Sequence, residues 1–247
     1  ASDVYKRQSM ILQDPQTSLN PVFSIGNQVM EALGVSNKIA RKEMVSKAVD
    51  SLRNVRVAAP ERRMRDYPHQ MSGGMKQRVI GAIAISSTPK VIIADEPTTA
   101  LDVTIQLQYL QLLREIQQET GLAIIFITHD FGIVARMCDR VAVMYAGRII
   151  ESGDVRTLFN SPTHPYTQAL MASVPQMDRT ERLFAIDGQP PALFALPEGC
   201  RFADRCSHVR DHCLQEYPPT GEPEAGHDVS CWMVDPTWDE SSQEAVS

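Results

Sequence analysis

Val91-Ile92-Ile93-Ala94-Asp95-Glu96-Pro97 is the stretch on which the fold turns: four apolar residues, two adjacent carboxylates, then a proline. A short apolar run without polar alternation reads as a strand buried on both faces. Working outward, Val103 to Glu119 places Ile105, Leu107, Leu110, Leu112, Leu113 and Ile116 at helical spacing, and Gly121 supplies the stop. Ala123 to Ile127 reads as a second buried strand and Arg140 to Tyr145 as a third, with Gly147 turning the chain into Arg148 to Glu151. Strand, helix and strand with two-sided burial predict a parallel sheet covered by helices, an α/β fold.

The 247 residues carry a net charge of −6, with 43% hydrophobic and 22% charged residues. That is ordinary for a globular protein, excludes wholesale disorder and gives no electrostatic case for nucleic-acid binding. No apolar run approaches the roughly 18–20 residues that span a bilayer, and residues 1–8 lack the apolar core of a signal peptide. The reading is a soluble cytosolic protein. Charge is unevenly spread: residues 38–65 hold nine Lys/Arg against three Asp/Glu, and residues 214–247 hold eight acidic residues with no Lys or Arg. The first stretch is expected to be a helix with a basic solvated face, its apolar side being Met44, Val45, Ala48, Val49 and Leu52. The second is expected to end in a frayed acidic tail. From Ser161 onward prolines recur densely enough to forbid long helices, which predicts a loop-rich appendage.

In open α/β sheets ligands sit beyond the carboxyl ends of strands, so Asp95 and Glu96 point at a site. One carboxylate can anchor a hydrated Mg²⁺ and the other can polarise a water for attack on phosphorus. Gln13 ends the short apolar run before Asp14-Pro15, and His129 follows the strand Ala123 to Ile127, so both are expected at the same edge. Ser72-Gly73-Gly74-Met75-Lys76-Gln77-Arg78 opens a helix running to about Ser86. Ser72 is suited to cap it, and the two glycines allow a phosphate close approach at a positive helix end. Cys200, Cys206, Cys213 and Cys231 follow a C-x5-C-x6-C-x17-C spacing inside the appendage, while Cys138 stands apart as a small hydrophobe. In a cytosolic protein such a cluster favours metal over disulfides, and soft thiolates suit either Zn²⁺ or an iron–sulfur cluster. The absence of a C-x2-C pair weakens the zinc reading.

Taken in order, Gln13-Asp14-Pro15, Ser72 to Arg78, Ile93 to Pro97, Ala100-Leu101-Asp102 and Thr128-His129-Asp130 resemble the motif series of ABC-transporter ATPases. The resemblance runs from about Ser9 to Trp232. Gln13 to Pro21 (QDPQTSLNP), Asp95 to Gln106 (DEPTTALDVTIQ) and Ser161 to Thr167 (SPTHPYT) make the chain similar to the ATP-binding subunit of an oligopeptide/dipeptide (peptide/nickel-type) importer. The resemblance implies a partial P-loop NTPase (ABC ATPase) core at 9–160, with an inserted helical subdomain at about 23–87. It further implies a peptide-importer C-terminal region with the four-Cys motif at 161–235, flanked by an unmatched leader at 1–8 and the acidic tail at 236–247.

By the same resemblance, ATP and Mg²⁺ lie between two such subunits. Gln13 would sense the Mg²⁺ and the attacking water, Asp95 would hold the Mg²⁺, Glu96 would be the catalytic base and His129 would clamp the γ-phosphate. Ser72, Gly73 and Gly74 would contact the nucleotide of the partner, Gln77 would add a nucleotide contact, and Asp102 would link the two sites. Cys200, Cys206, Cys213 and Cys231 would hold a [4Fe–4S] cluster, which some members carry. The implied partners are a second ABC ATPase subunit, transmembrane permease subunits and, indirectly, an extracytoplasmic peptide-binding protein, with no nucleic acid. The implied location is the cytoplasmic face of the inner membrane.

Two departures stand out. Leu12 occupies a position where an aromatic is usual, and no G-x-x-x-x-G-K-[ST] phosphate loop occurs in the 247 residues. The chain is therefore expected to be an N-terminally truncated piece, catalytically dead by itself, with apolar sheet surface left uncovered. The alternatives are a non-transport ABC ATPase of DNA repair or translation, and an inactive remnant retaining a metal-binding module.

Overall fold

The computed structural model describes residues 7–36, 40–174, 185–236 and 238. Residues 1–6 of the leader and the acidic tail beyond 238 lie outside the described residues. The chain divides into two compact units, Ala1–Asp130 and Phe131–Ser247.

The first unit is built on three parallel strands, β1 (Gln8–Ile11), β2 (Val91–Asp95) and β3 (Ala123–Ile127), in that spatial order. The register aligns Met10, Ile93 and Ile125 on one face and Ile11, Ala94 and Phe126 on the other. Ile11, Ile92 and Ala94 are buried in a single core. After the one-turn α1 (Pro15–Ser18), its helical share comes from α2 (Ile25–Ser36), α3 (Arg41–Asn54), α5 (Gly73–Ser86) and α6 (Val103–Thr120). On the opposite face Met10, Ile125 and Ile127 are 45%, 53% and 50% exposed. The two-sided burial expected for β2 and β3 is thus corrected, because the helices of this unit contribute to one face only.

Local signals set the helix ends. Ser72 Oγ accepts the N–H of Met75 at 3.4 Å to cap α5, and Asp102 accepts that of Ile105 at 3.0 Å to cap α6. Gly121, at φ 67°, ends α6 in the left-handed region that glycine tolerates. The basic stretch is not one helix. After α3 the chain bends through Arg56 and Ala59, both left-handed, into the short α4 (Pro60–Arg63), and Arg53 pairs with Glu61 across the bend at 2.6 Å.

In the second unit β4 (Arg140–Tyr145) does not extend the parallel sheet. It pairs antiparallel with β5 (Arg148–Asp154), in a four-stranded sheet of order β4-β5-β7-β6. The reason is local: Ala146 and Gly147 both take positive φ, which closes a two-residue hairpin matched to strand twist. The proline-rich appendage contributes β6 (Thr220–Glu224) and β7 (His227–Ser230), so it is part of this sheet rather than a string of loops. Val143, Tyr145, Ile150, Leu158 and Phe202 form its apolar core.

A fully buried carboxylate ties the unit together. Glu151 on β5 accepts the backbone N–H groups of Thr163 (2.7 Å) and His164 (3.0 Å) and the Nε2–H of His227 on β7 (2.8 Å). Strand, appendage and hairpin are thereby joined through one side chain, which a buried charge tolerates only when its donors are all in place. Glu151→Ala should destabilise this unit by about 3 kcal/mol or more, while Glu151→Gln, which keeps one acceptor oxygen, should cost less. Urea unfolding followed by the fluorescence of Trp232 and Trp238 reads the difference; equal midpoints for wild type and Glu151→Ala would contradict the assignment.

Candidate active site

At the carboxyl edge of the parallel sheet, three separate segments converge on Glu96. The Glu96 N–H bonds the carbonyl of Ile127 at the end of β3 (2.8 Å), which carries the sheet ladder one residue past β2. The residue itself sits at φ 41°, a left-handed conformation that costs a non-glycine residue about 1 kcal/mol or more. This backbone turn presents the carboxylate to three donors. Gln13 Nε2 donates to Oε2 at 2.9 Å, Thr99 Oγ1 donates to the same oxygen at 2.9 Å, and His129 Nδ1 lies 2.9 Å from Oε1. An ionised carboxylate only accepts, so the proton of that last contact sits on His129 Nδ1. The His129 side chain is 76% exposed, against 20% for Glu96. The imidazole thus reaches into solvent over a carboxylate held at the sheet edge.

Hydrogen bonding from His129 first, then from Thr99 and Gln13, holds the Glu96 carboxyl below the ordinary glutamate range. The arrangement keeps one carboxylate ionised, oriented and close to solvent, which is what accepting a proton from water requires.

The structure thus brings together Gln13, Glu96 and His129. Asp95, the neighbouring carboxylate, is the last residue of β2. Thr99 was not singled out from the sequence. Its signal is weak, a threonine three residues after the carboxylate, and it becomes legible only once the turn at Glu96 is known. Ser72, Gly73 and Gly74 sit instead at the start of α5. A Cβ on Gly74 would fall 2.7 Å from Ile105 Cγ2, so this glycine is required where α5 meets the start of α6. Asp102 caps that same start of α6, so the two helix N-termini are built as neighbours. Gln77, from which a nucleotide contact is expected, is 1% exposed within the core of this unit.

In the second unit Cys200, Cys206, Cys213 and Cys231 line one small cavity of about 20 Å³ together with His164 and Trp232. The Cys200 N–H bonds the Cys213 carbonyl at 2.7 Å. Gly199 makes that approach possible, since a Cβ there would lie 2.3 Å from the same carbonyl oxygen. Burial pushes the Cys200 thiol up, that of Cys206 to about 11 and that of Cys231 to about 12, and neighbouring cysteines add to each rise. Burial also pulls the His164 imidazole down to about 4. Among the described residues no group of three or more His, Cys, Asp or Glu side chains is arranged to hold a metal ion. The expected four-cysteine ligand set is therefore gathered on one cavity but not closed around an ion. The reason is physical: Cys213 is buried, Cys200, Cys206 and Cys231 are half-buried, and they face a gap of little more than one water molecule. As donors, thiolates suit a soft cation, and the raised thiols of Cys200, Cys206 and Cys231 would need such a partner in order to ionise. Cys138 stands apart, half-buried, its thiol pushed up by burial and then by Asp139.

These features define a nucleoside-triphosphatase edge of the ABC type, and the chain belongs to the ABC transporter ATPase family. Residues 2–99 match the model of the ABC transporter family, and residues 150–213 match that of the oligopeptide/dipeptide transporter C-terminal region. The chain is 50% identical over 228 residues to a probable peptide ABC transporter ATP-binding protein, y4tR, of Sinorhizobium fredii, covering 92% of this chain and 68% of that one. It is 49% identical over 232 residues to the dipeptide transport ATP-binding protein DppD of Bacillus subtilis, with 92% and 68% covered. Among solved structures, cbiO1 of Clostridium perfringens, part of the ABC transporter complex cbiONQ, superposes with a TM-score of 0.56 at 33% identity, covering 65% of this chain and 62% of that one. A dimeric post-hydrolysis state of the ATP-binding cassette MJ0796 bound to ADP and phosphate gives 0.55 at 25% identity, with 63% and 67% covered.

The hydrogen bonds at Glu96 give a direct expectation. In His129→Ala the Glu96 carboxyl should titrate at higher pH than in the wild type, because its strongest donor is gone. Carboxyl-carbon NMR across an acid titration reads the shift, and an unmoved Glu96 resonance would show that His129 does not hold it.

Proposed function

We propose that this subunit hydrolyses ATP to drive import of oligopeptides or dipeptides through a membrane permease. The observation that carries the reading is the Glu96 carboxylate, held by Gln13, Thr99 and His129 at the sheet edge. Glu96 is the base that takes a proton from the attacking water, Gln13 orients that water, and His129 steadies the γ-phosphate. Asp95 is the residue that would hold Mg²⁺, which supplies charge neutralisation to the phosphates when bound. Ser72, Gly73 and Gly74 serve the nucleotide of a second ATPase subunit, with the free N–H groups of α5 as donors. Asp102 lies beside them as the link between the two sites.

The peptide assignment draws support from the C-terminal region match and from relatives named for peptide and dipeptide transport. That region also weighs against a role in DNA repair or translation. Residues 9–160 form the ATPase domain with its helical subdomain at about 23–87, and 161–235 the importer-specific region. The subunit works at the cytoplasmic face of the membrane, docked on permease subunits that receive substrate from an external binding protein. Among the described residues no helix is long and apolar enough to cross a membrane.

In a transporter assembled with this subunit, Glu96→Gln should lower the ATP turnover rate at least about 100-fold while ATP binding persists, since an amide cannot accept the proton. More than half of wild-type turnover in Glu96→Gln would remove Glu96 from the base role. Peptide uptake into proteoliposomes should fall in parallel.

We infer further that the four cysteines hold a [4Fe–4S] cluster, whose chemistry when bound is one-electron exchange. Anaerobically purified protein should carry iron and sulfide near one cluster per chain, with broad absorption near ~400 nm. Cys→Ser at 200, 206, 213 or 231 should each abolish it, and Cys138→Ser should not. Stoichiometric zinc without iron would overturn the cluster in favour of a Zn²⁺ site.

A further inference from the structure

Lys76, in the first turn of α5, is 8% exposed. Among the described residues its ammonium has one hydrogen-bond partner, the Gln16 side-chain oxygen at 2.6 Å. Gln16 belongs to α1, which begins two residues after Gln13. A single helical turn does not hold itself in place, because its first hydrogen bond must fix several residues. Side chains fasten it instead. Asp14 Oδ1 accepts the Gln16 N–H at 2.7 Å, Ser18 Oγ donates to the Asp14 carbonyl at 2.6 Å, and Lys76 reaches Gln16 from α5. Of these three contacts only the lysine comes from outside the turn. Gln13, just before it, donates to Glu96 at 2.9 Å.

We propose that Lys76 is a positioning residue for ATP hydrolysis: through Gln16 it fastens the turn that follows Gln13 to the N-terminus of α5. Ser72, Gly73 and Gly74, which serve the nucleotide of a second subunit, and Gln13, which serves this subunit's own Glu96, are thereby held in one relative placement. The proposal rests on the ATPase reading given above and adds to it the side chain that joins these two groups.

Helix stability does not account for the lysine. The first turn of a helix carries positive partial charge, which disfavours a cation there, and α5 already has its cap in Ser72. Packing does not account for it either, since a methionine would cover the same path without taking an ammonium out of water. The partner is a neutral amide, so Gln16 brings no opposite charge to offset that desolvation. What the lysine supplies is a long, charged donor that crosses from one helix to the other, and such bonds are roughly twice as strong as neutral ones.

Variants at both ends separate positioning from a direct effect of the charge. Lys76→Met removes the donor and the charge together, Gln16→Leu removes the acceptor and leaves the charge, and Gln16→Glu keeps an acceptor. Steady-state MgATP hydrolysis is measured on the transporter assembled with this subunit, with thermal unfolding of the same samples. Lys76→Met and Gln16→Leu should each lower kcat about 5–20-fold while KM changes less than about twofold. The double variant should lose no more than either single one, because both remove the same bond. Gln16→Glu should keep more than half of wild-type kcat, and no thermal midpoint should fall.

A loss in Lys76→Met without one in Gln16→Leu would make the lysine a charge acting on the phosphates and would overturn the positioning role. Additive losses in the double variant, an unchanged kcat in Lys76→Met, or losses that track a lowered thermal midpoint would each overturn it as well. In all of these cases turnover that still collapses in Glu96→Gln leaves the ATPase reading standing. Turnover indifferent to Glu96→Gln would overturn that reading and this proposal with it.

Discussion

The first unit depends on how one carboxylate is held at the end of a strand. Glu96 leaves the ladder of β2 in a left-handed conformation and is pinned there by the carbonyl of Ile127 and by side chains from residues 13, 99 and 129. Each contact is an exposed or half-exposed hydrogen bond of modest net value, on the order of 1 kcal/mol. Their combined effect is orientation: the strained backbone persists because three segments agree on where the carboxylate must sit. Strain of that kind concentrates at functional sites. The parallel register does the rest, since β1, β2 and β3 all deliver their chemistry at the same edge.

The second unit follows a different logic. Its buried Glu151 uses two backbone donors and one histidine to lock the Ser161 to Thr167 segment onto β5 and β7. The segment so fixed delivers His164 to the cavity of the four cysteines, and the tight contact that Gly199 permits brings Cys200 and Cys213 together. A soft-metal centre placed there would be supported by a buried, hydrogen-bonded frame rather than by flexible loops. Peptide-importer relatives and the C-terminal region match place the chain in the group that has this appendage.

Much of the site was legible because strand ends in a parallel sheet share an edge. Once Val91 to Ala94 reads as a strand followed by two acids, Gln13 and His129 fall beside them by topology alone. Thr99 was hidden, because its contribution depends on the turn that Glu96 makes. The burial of Gln77 was not legible, because motif membership says nothing of which helix face is buried. Strand burial was overcalled for β2 and β3: an apolar run does not tell whether one or both faces are covered. The partner of β4 was equally invisible, since periodicity gives no pairing and the deciding feature is the Ala146-Gly147 hairpin. Thr220 to Glu224 looked like loop because Gly221 and Pro223 are poor strand residues, and only pairing with β7 makes it an edge strand. The cysteine spacing announced a site in the sequence, whereas its approach distances belong to tertiary packing.

The most direct test of the account is the structure of the assembled transporter trapped with Mg²⁺, ADP and vanadate. Vanadate should occupy the position of the transferred phosphoryl group, within hydrogen-bond reach of Gln13 and His129 and with its attacking-side oxygen at Glu96. Ser72, Gly73 and Gly74 of the other ATPase subunit should close over its far side. A vanadate bound away from Glu96, with the carboxylate still closed on Gln13, Thr99 and His129, would contradict the central claim that this carboxylate is the centre of the chemistry.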